Sequence, residues 1–291
     1  MPSQLRFELI EGGSRLGGGF LKLISLILLC ASFSLNAQAW EKPPGSLMSD
    51  TPVDFSTEAM FDLMTNPWIG PMLDPSGGYP QICPTTDVVA GLDVSNHQPS
   101  TSWDQVHQTG RSFTYIKATE GVTWQNPEFQ KDWPLSKTVG MIRGAYHYFR
   151  PEDDSVQQAD AYLKTLVGLE VDDMPPMLDI EVTDNVAPEI IVENARTWLD
   201  YVEKVTGKTP IVYTYPYYWS TLGPAPGFDH YPLFIADYKD KCPQVPTPWT
   251  AWTIWQHGIG TIFGVHGKVD LDDFNGGVQD LENFATAHNK N

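Results

Sequence analysis

From Asp87 onward, short apolar runs alternate with stretches in which apolar residues recur every three or four positions. Val88 to Val94, Ser112 to Lys117, Gly140 to Tyr148, Pro176 to Val182, Pro210 to Tyr215, Leu233 to Tyr238 and Thr253 to Gln256 read as buried strands, being short and rich in β-branched and aromatic residues. Helices fit between most of them. Ser102-Trp103-Asp104-Gln105 has the form of a capping box, and from Pro188 the spacing Ile191, Ala195, Trp198, Val202, Val205 marks one apolar helix face that Gly207 ends. Strands alternating with helices imply βαβ units and a largely parallel sheet, and this many strands suit closure on themselves. The predicted class is α/β: an irregular (β/α) barrel of TIM-barrel type over 87–291, irregular because its later helices are short.

The chain ahead of that domain has other patterns. After a polar lead with Arg6 and Arg15, the stretch from Phe20 to Leu35 is almost wholly apolar and ends in Ala37-Gln38-Ala39. That pattern predicts a signal peptide over 1–39, removed after Ala39, and a secreted or periplasmic protein. About 16 residues is short for a bilayer span, so no stable membrane anchor is expected. Residues 40–86 shift to Pro, Gly, Ser, Met and Asp, with turn signals at Lys42-Pro43-Pro44-Gly45 and Asp74-Pro75-Ser76-Gly77-Gly78. They read as an extended arm, with one short helix around Ser56 to Met64.

Charge narrows the partners. With 36 Asp and Glu against 18 Lys and Arg, and no clustered cations, the chain is a poor binder of phosphate backbones, so no nucleic-acid partner is expected. Ten Trp and 12 Tyr offer flat apolar faces on which sugars can stack, although most of these rings belong in a core. Cys30 lies in the apolar leader after Leu29, where lipid attachment would need a small residue. The remaining cysteines, Cys83 and Cys242, could form one disulfide in an exported protein or stay as two thiols; across so long a loop a bridge would stabilise by about 5 kcal/mol. No Cys-x-x-Cys or His-x-x-x-His spacing is present, so neither a metal nor a cofactor is expected.

Candidate chemistry centres on Met177-Leu178-Asp179-Ile180-Glu181-Val182. A period of two puts Asp179 and Glu181 on one face, with Cα atoms about 6 to 7 Å apart. Like charges in a partly desolvated site raise each other's pKa, as a general acid at neutral pH requires. An isolated Asp-x-Glu could equally cap a turn. Asp93, at the end of the first strand, and Asp270, near the C-terminus, would reach the same barrel mouth if the first and last strands meet.

Gly91-Leu92-Asp93-Val94-Ser95 with Gln98, Lys117-Ala118-Thr119-Glu120-Gly121, Gly144 to Phe149, Leu178 to Glu181, Ile235-Ala236-Asp237-Tyr238, Ile254-Trp255-Gln256 and Val269 to Phe274 occur in an order that resembles glycoside hydrolase family 25, the muramidase-type lysozymes. The resemblance covers roughly Val88 to Phe284. It implies an irregular β/α barrel, acting as a monomer, that hydrolyses the β-1,4 bond between N-acetylmuramic acid and N-acetylglucosamine in the peptidoglycan glycan strand. Glu181 would be the general acid, Asp179 its partner, and Asp93 and Asp270 the other pocket acids. Tyr148, Tyr146, Tyr213, Tyr238 and Glu120 become candidates for substrate contact. His257 and Asp272 depart from the family pattern, which more often has Tyr and Asn there, and put substrate contacts rather than catalysis in doubt. Two other readings stay open: a chitinase-like hydrolase, which also uses an Asp-x-Glu, and a non-catalytic peptidoglycan-binding protein on the same fold.

Overall fold

The computed structural model describes residues 78–84, 87–238 and 241–287. The leader expected over 1–39 lies outside the described residues. So does most of the arm over 40–86, including its short helix.

The strands are β1 (Val88–Val94), β2 (Phe113–Glu120), β3 (Trp124–Gln125), β4 (Ile142–Tyr148), β5 (Met177–Asp179), β6 (Ile211–Thr214), β7 (Leu233–Ala236), β8 (Ile254–Gly260) and β9 (Val269–Asn275). They form one sheet in the order β1-β9-β8-β7-β6-β5-β4-β2-β3, and β1 also pairs with β2. That last pairing closes the sheet into a barrel, with β3 left outside as a short hairpin arm on β2. The helices are α1 (Trp103–His107), α2 (Phe129–Thr138), α3 (Ser155–Thr165), α4 (Pro188–Thr206), α5 (Pro216–Thr221) and α6 (Val278–Thr286).

Alternation along each strand sorts the apolar side chains into two cores. Val89, Phe113, Tyr115, Tyr146, Met177, Ile211, Tyr213, Phe234 and Ile254 fill the barrel. Their neighbours, among them Leu92, Ile116, Ala145, Leu178, Val212 and Ile235, pack outward against the helices. In α4 the buried face is Ile191, Ala195, Trp198, Leu199 and Val202, and Gly207 ends the helix with φ 70°. Each such aliphatic side chain contributes about 1.5–3 kcal/mol through burial. Space inside the barrel is tight: a methyl group at Gly91 would collide with the Phe113 ring, and one at Gly144 with the Tyr115 ring.

Several boundaries differ from expectation. β2 runs past Lys117 to Glu120 through a register shift between Lys117 and Thr119. β5 stops at Asp179 rather than Val182; Ile180 still donates its N–H to the Tyr213 carbonyl (2.9 Å), but Val182 has left the strand plane and packs toward the barrel core. Ser102 is the N-cap of α1, yet its side chain makes no capping bond. Val205, expected on the buried face, is 57% exposed, one residue from the end of α4 at Thr206. The sheet is also less parallel than expected: β9, outside the seven strands expected from the pattern, runs antiparallel between β1 and β8.

The described part of the arm, residues 78–84, lies against the loop between β7 and β8. Cys83 is disulfide-bonded to Cys242, the Ile82 N–H donates to the Pro243 carbonyl (3.1 Å), and the Trp252 indole donates to the Ile82 carbonyl (2.6 Å).

Candidate active site

Parallel strands deliver their last residues to one end of a barrel, and an antiparallel strand delivers its first residues there. Asp93 near the end of β1 and Asp179 at the end of β5 therefore share a mouth with Asp270 and Asp272 near the start of β9. Asp93 stands directly opposite Asp270 across the β1–β9 ladder, and Gly91 opposite Asp272. Tyr148, Asp179 and Tyr213 form one rung across β4, β5 and β6.

Asp93, Asp179, Asp270 and Asp272 are buried, whereas Glu181, just beyond β5, is half-buried. Among the described residues neither carboxylate oxygen of Asp179 has a hydrogen-bond partner, and the same is true of Asp272. Burial, and secondarily the Glu181 charge, push Asp179 well above the usual carboxylate range; the Lys117 ammonium opposes them. Asp93 is raised to about 7 by burial, against the lowering effect of a hydrogen bond from Gln256, with Glu181 adding to the rise. Asp272 is also raised, first by burial and then by Asp93 and Asp270. Carboxyl groups so placed hold protons at pH values where exposed ones have lost them.

Gln256 organises one wall. Its amide donates to Asp93 Oδ2 (2.8 Å), while its carbonyl accepts from the hydroxyls of Tyr238 (2.7 Å) and Tyr213 (3.2 Å). Tyr146 is buried in the barrel with a hydroxyl lacking a hydrogen-bond partner among the described residues, and its titration is raised by burial and then by Asp93, Asp179 and Asp270. Two cations approach the Tyr148 ring, Lys117 Nζ at 4.6 Å and the Arg150 guanidinium at 5.2 Å from its centroid. Glu120 bridges those cations, accepting from Lys117 (2.7 Å) and Arg150 (2.6 Å). Burial alone would raise it, but Lys117 and Arg150 bring it below its ordinary value.

The sequence pattern assigns Gln256, Lys117 and Arg150 no part in the site, and marks Asp272 only as a departure touching substrate contacts. Gln256 and Lys117 stand in the quoted motifs, and their strand parity with Ile254 and Tyr115 was an available signal of inward direction. Arg150, two residues beyond Tyr148, carried none.

A closed α/β barrel with four buried aspartates and Glu181 gathered at one mouth is the arrangement a carboxylate-dependent hydrolase needs. The chain belongs to glycosyl hydrolases family 25, whose model matches residues 92–263. It is 35% identical over 216 residues to lysozyme M1 of Streptomyces globisporus, covering 70% of this chain and 73% of that protein. It is 30% identical over 213 residues to the N,O-diacetylmuramidase of Chalaropsis sp, covering 68% and 99%. Among solved structures, the family GH25 lysozyme from Aspergillus fumigatus superposes with a TM-score of 0.65 at 30% identity, covering 69% of this chain and all of that one.

Proposed function

We propose that this protein is a muramidase-type lysozyme that cuts the β-1,4 bond between N-acetylmuramic acid and N-acetylglucosamine, with Glu181 as proton donor and Asp179 as its partner. The observation that carries the assignment is the contrast between the two carboxyls. Asp179 is sealed in the barrel without a hydrogen-bond partner among the described residues, while Glu181 beside it has access to solvent. The repulsion that raises Asp179 also opposes removal of the last proton from the pair. With a glycan in the mouth, that proton is available from Glu181 to the glycosidic oxygen. Asp179, then ionised, faces the positive charge developing at the anomeric carbon or orients the substrate's 2-acetamido group. Asp93 and Asp270 complete the acidic lining. Tyr146, Tyr148, Tyr213 and Tyr238 are the aromatic wall, and Glu120 serves it by holding Lys117 and Arg150 against Tyr148.

The similarity to cell-wall lysozymes supports action on peptidoglycan outside the cytoplasm, and residues 1–39 fit an export signal. The protein then works as a secreted or periplasmic monomer. Among the described residues no helix is long and apolar enough to cross a membrane.

Purified peptidoglycan incubated with the protein should release reducing ends terminating in muramic acid, and chitin should release far fewer. Glu181→Gln should lower that rate by about 10²–10⁴-fold, the usual contribution of a general acid. A folded Glu181→Gln variant cleaving at the parental rate would overturn the assignment.

A further inference from the structure

The expected sugar contacts all lie on barrel strands or just beyond them, but one aromatic at the mouth sits outside that set. Trp124 lies in β3, the short arm that folds back from β2 and pairs Trp124 with Glu120 at the mouth end. Its ring is 36% exposed, a large apolar surface for a side chain that adds little to either core. It is nevertheless fixed. The Lys117 ammonium lies 4.8 Å from the Trp124 ring and 4.6 Å from the Tyr148 ring, and is held there by Glu120. Tyr148, Lys117 and Trp124 thus form a continuous ladder from the barrel interior to the rim.

Position around the barrel gives this ring a direction. Trp124 lies on β3, three strands from Asp179 on β5 in the order β5-β4-β2-β3, so the platform is displaced by about 14 Å from the carboxylate pair at the usual inter-strand spacing. On the other side of the pair, Tyr217 at the start of α5 and Tyr238 beyond β7 are 51% and 49% exposed. The exposed rings therefore flank the acids from opposite sides, as they would along an extended chain of pyranose rings. Axial C–H groups on one face of a β-linked sugar are an apolar surface that a flat, electron-rich indole matches.

We propose that Trp124 is a stacking platform for a sugar ring of the same strand at least one position removed from the bond that is cut, and so sets the preference for long glycan strands over short fragments. The inference rests on the muramidase reading. A ring already fixed by Lys117 and Glu120 loses little freedom on binding, so its contact energy is available to the substrate.

The test compares hydrolysis of peptidoglycan glycan fragments of increasing length. Trp124→Ala should lower the ratio of kcat/KM for long strands to that for the shortest cleavable fragment by about tenfold, mainly through KM. Trp124→Phe, which keeps a flat ring, should recover most of the ratio, and Trp124→Leu, apolar but not flat, should not. An unchanged ratio in Trp124→Ala, or full recovery by Leu, would overturn the proposal. If the Ala variant fails to fold, the Leu–Phe comparison decides alone. Absence of cleavage by the parent protein would instead count against the muramidase reading.

Discussion

Replacing Asp93 by Asn should change stability in a way that depends on pH. Asp93 is fully buried, titrates at about 7 in the folded protein and has an ordinary value of 3.8. A folded value above the unfolded one means that the protonated carboxyl favours folding: that contribution is complete below about pH 4 and is lost as pH rises through about 7. Three pH units correspond to about 4 kcal/mol. Asn cannot ionise and escapes this loss. Its carbonyl can accept the Gln256 amide as Asp93 Oδ2 does, but its NH2 would occupy the place of Oδ1, which has no hydrogen-bond partner among the described residues. That costs about 1–3 kcal/mol at every pH. The variant should therefore be less stable than the parent near pH 4, cross it between about pH 4.5 and 6, and exceed it by about 1–3 kcal/mol at pH 8. Urea unfolding followed by tryptophan fluorescence, without reductant and with the denaturant slope checked for constancy, measures this difference. Gln256→Leu, which removes the hydrogen bond that lowers Asp93, should move the upper end of the transition to higher pH. A parent–variant difference that stays flat from pH 4 to 8 would refute the assigned titration.

Other expectations concern catalysis and packing. Asp179→Asn should reduce turnover by about 100-fold or more while raising the melting temperature at neutral pH, since it removes a buried carboxylate that resists ionisation; full activity would remove Asp179 from the mechanism. Gly144→Ala should destabilise by about 1–3 kcal/mol because the methyl meets the Tyr115 ring, whereas Gly258→Ala, with nothing within 4 Å, should cost much less; equal costs in thermal melts would contradict the packing argument. Reducing the Cys83–Cys242 bridge, which closes a separation of 159 residues, should cost up to about 5 kcal/mol, seen as a lower melting temperature with dithiothreitol than without; no shift would mean that the bridge carries no stability.

The barrel was legible because its strands are apolar on both faces and their glycines and turn residues punctuate the chain. β9 was not. Val269-Asp270-Leu271-Asp272-Asp273-Phe274 holds three carboxylates, which on an ordinary strand would be expelled into solvent. Here Asp270 and Asp272 point into a polar mouth, and Asp273 approaches His257 on the other side (3.8 Å). The same tolerance explains Asp179, buried at the end of β5. Gln256 and Lys117 were harder to read because their roles exist only across strands: Gln256 joins Asp93 on β1, and Lys117 faces Tyr148 on β4. The end of β5 at Asp179 depends on where the neighbouring strands stop pairing, which local pattern does not encode.

The place of β9 has a consequence for how the molecule is made. β1, the first barrel strand to leave the ribosome, pairs along one edge with β9, so Val88 meets Asn275 across nearly the whole domain. Until that late segment has emerged, β1 and β8 each have an open edge and Asp93 has no opposite neighbour. The matched family region ends at 263, short of the strand that supplies Asp270 and closes the ring. A nascent or trimmed chain ending there would expose two strand edges able to pair with other chains, which makes the last acidic strand a guard against aggregation as well as a wall of the site.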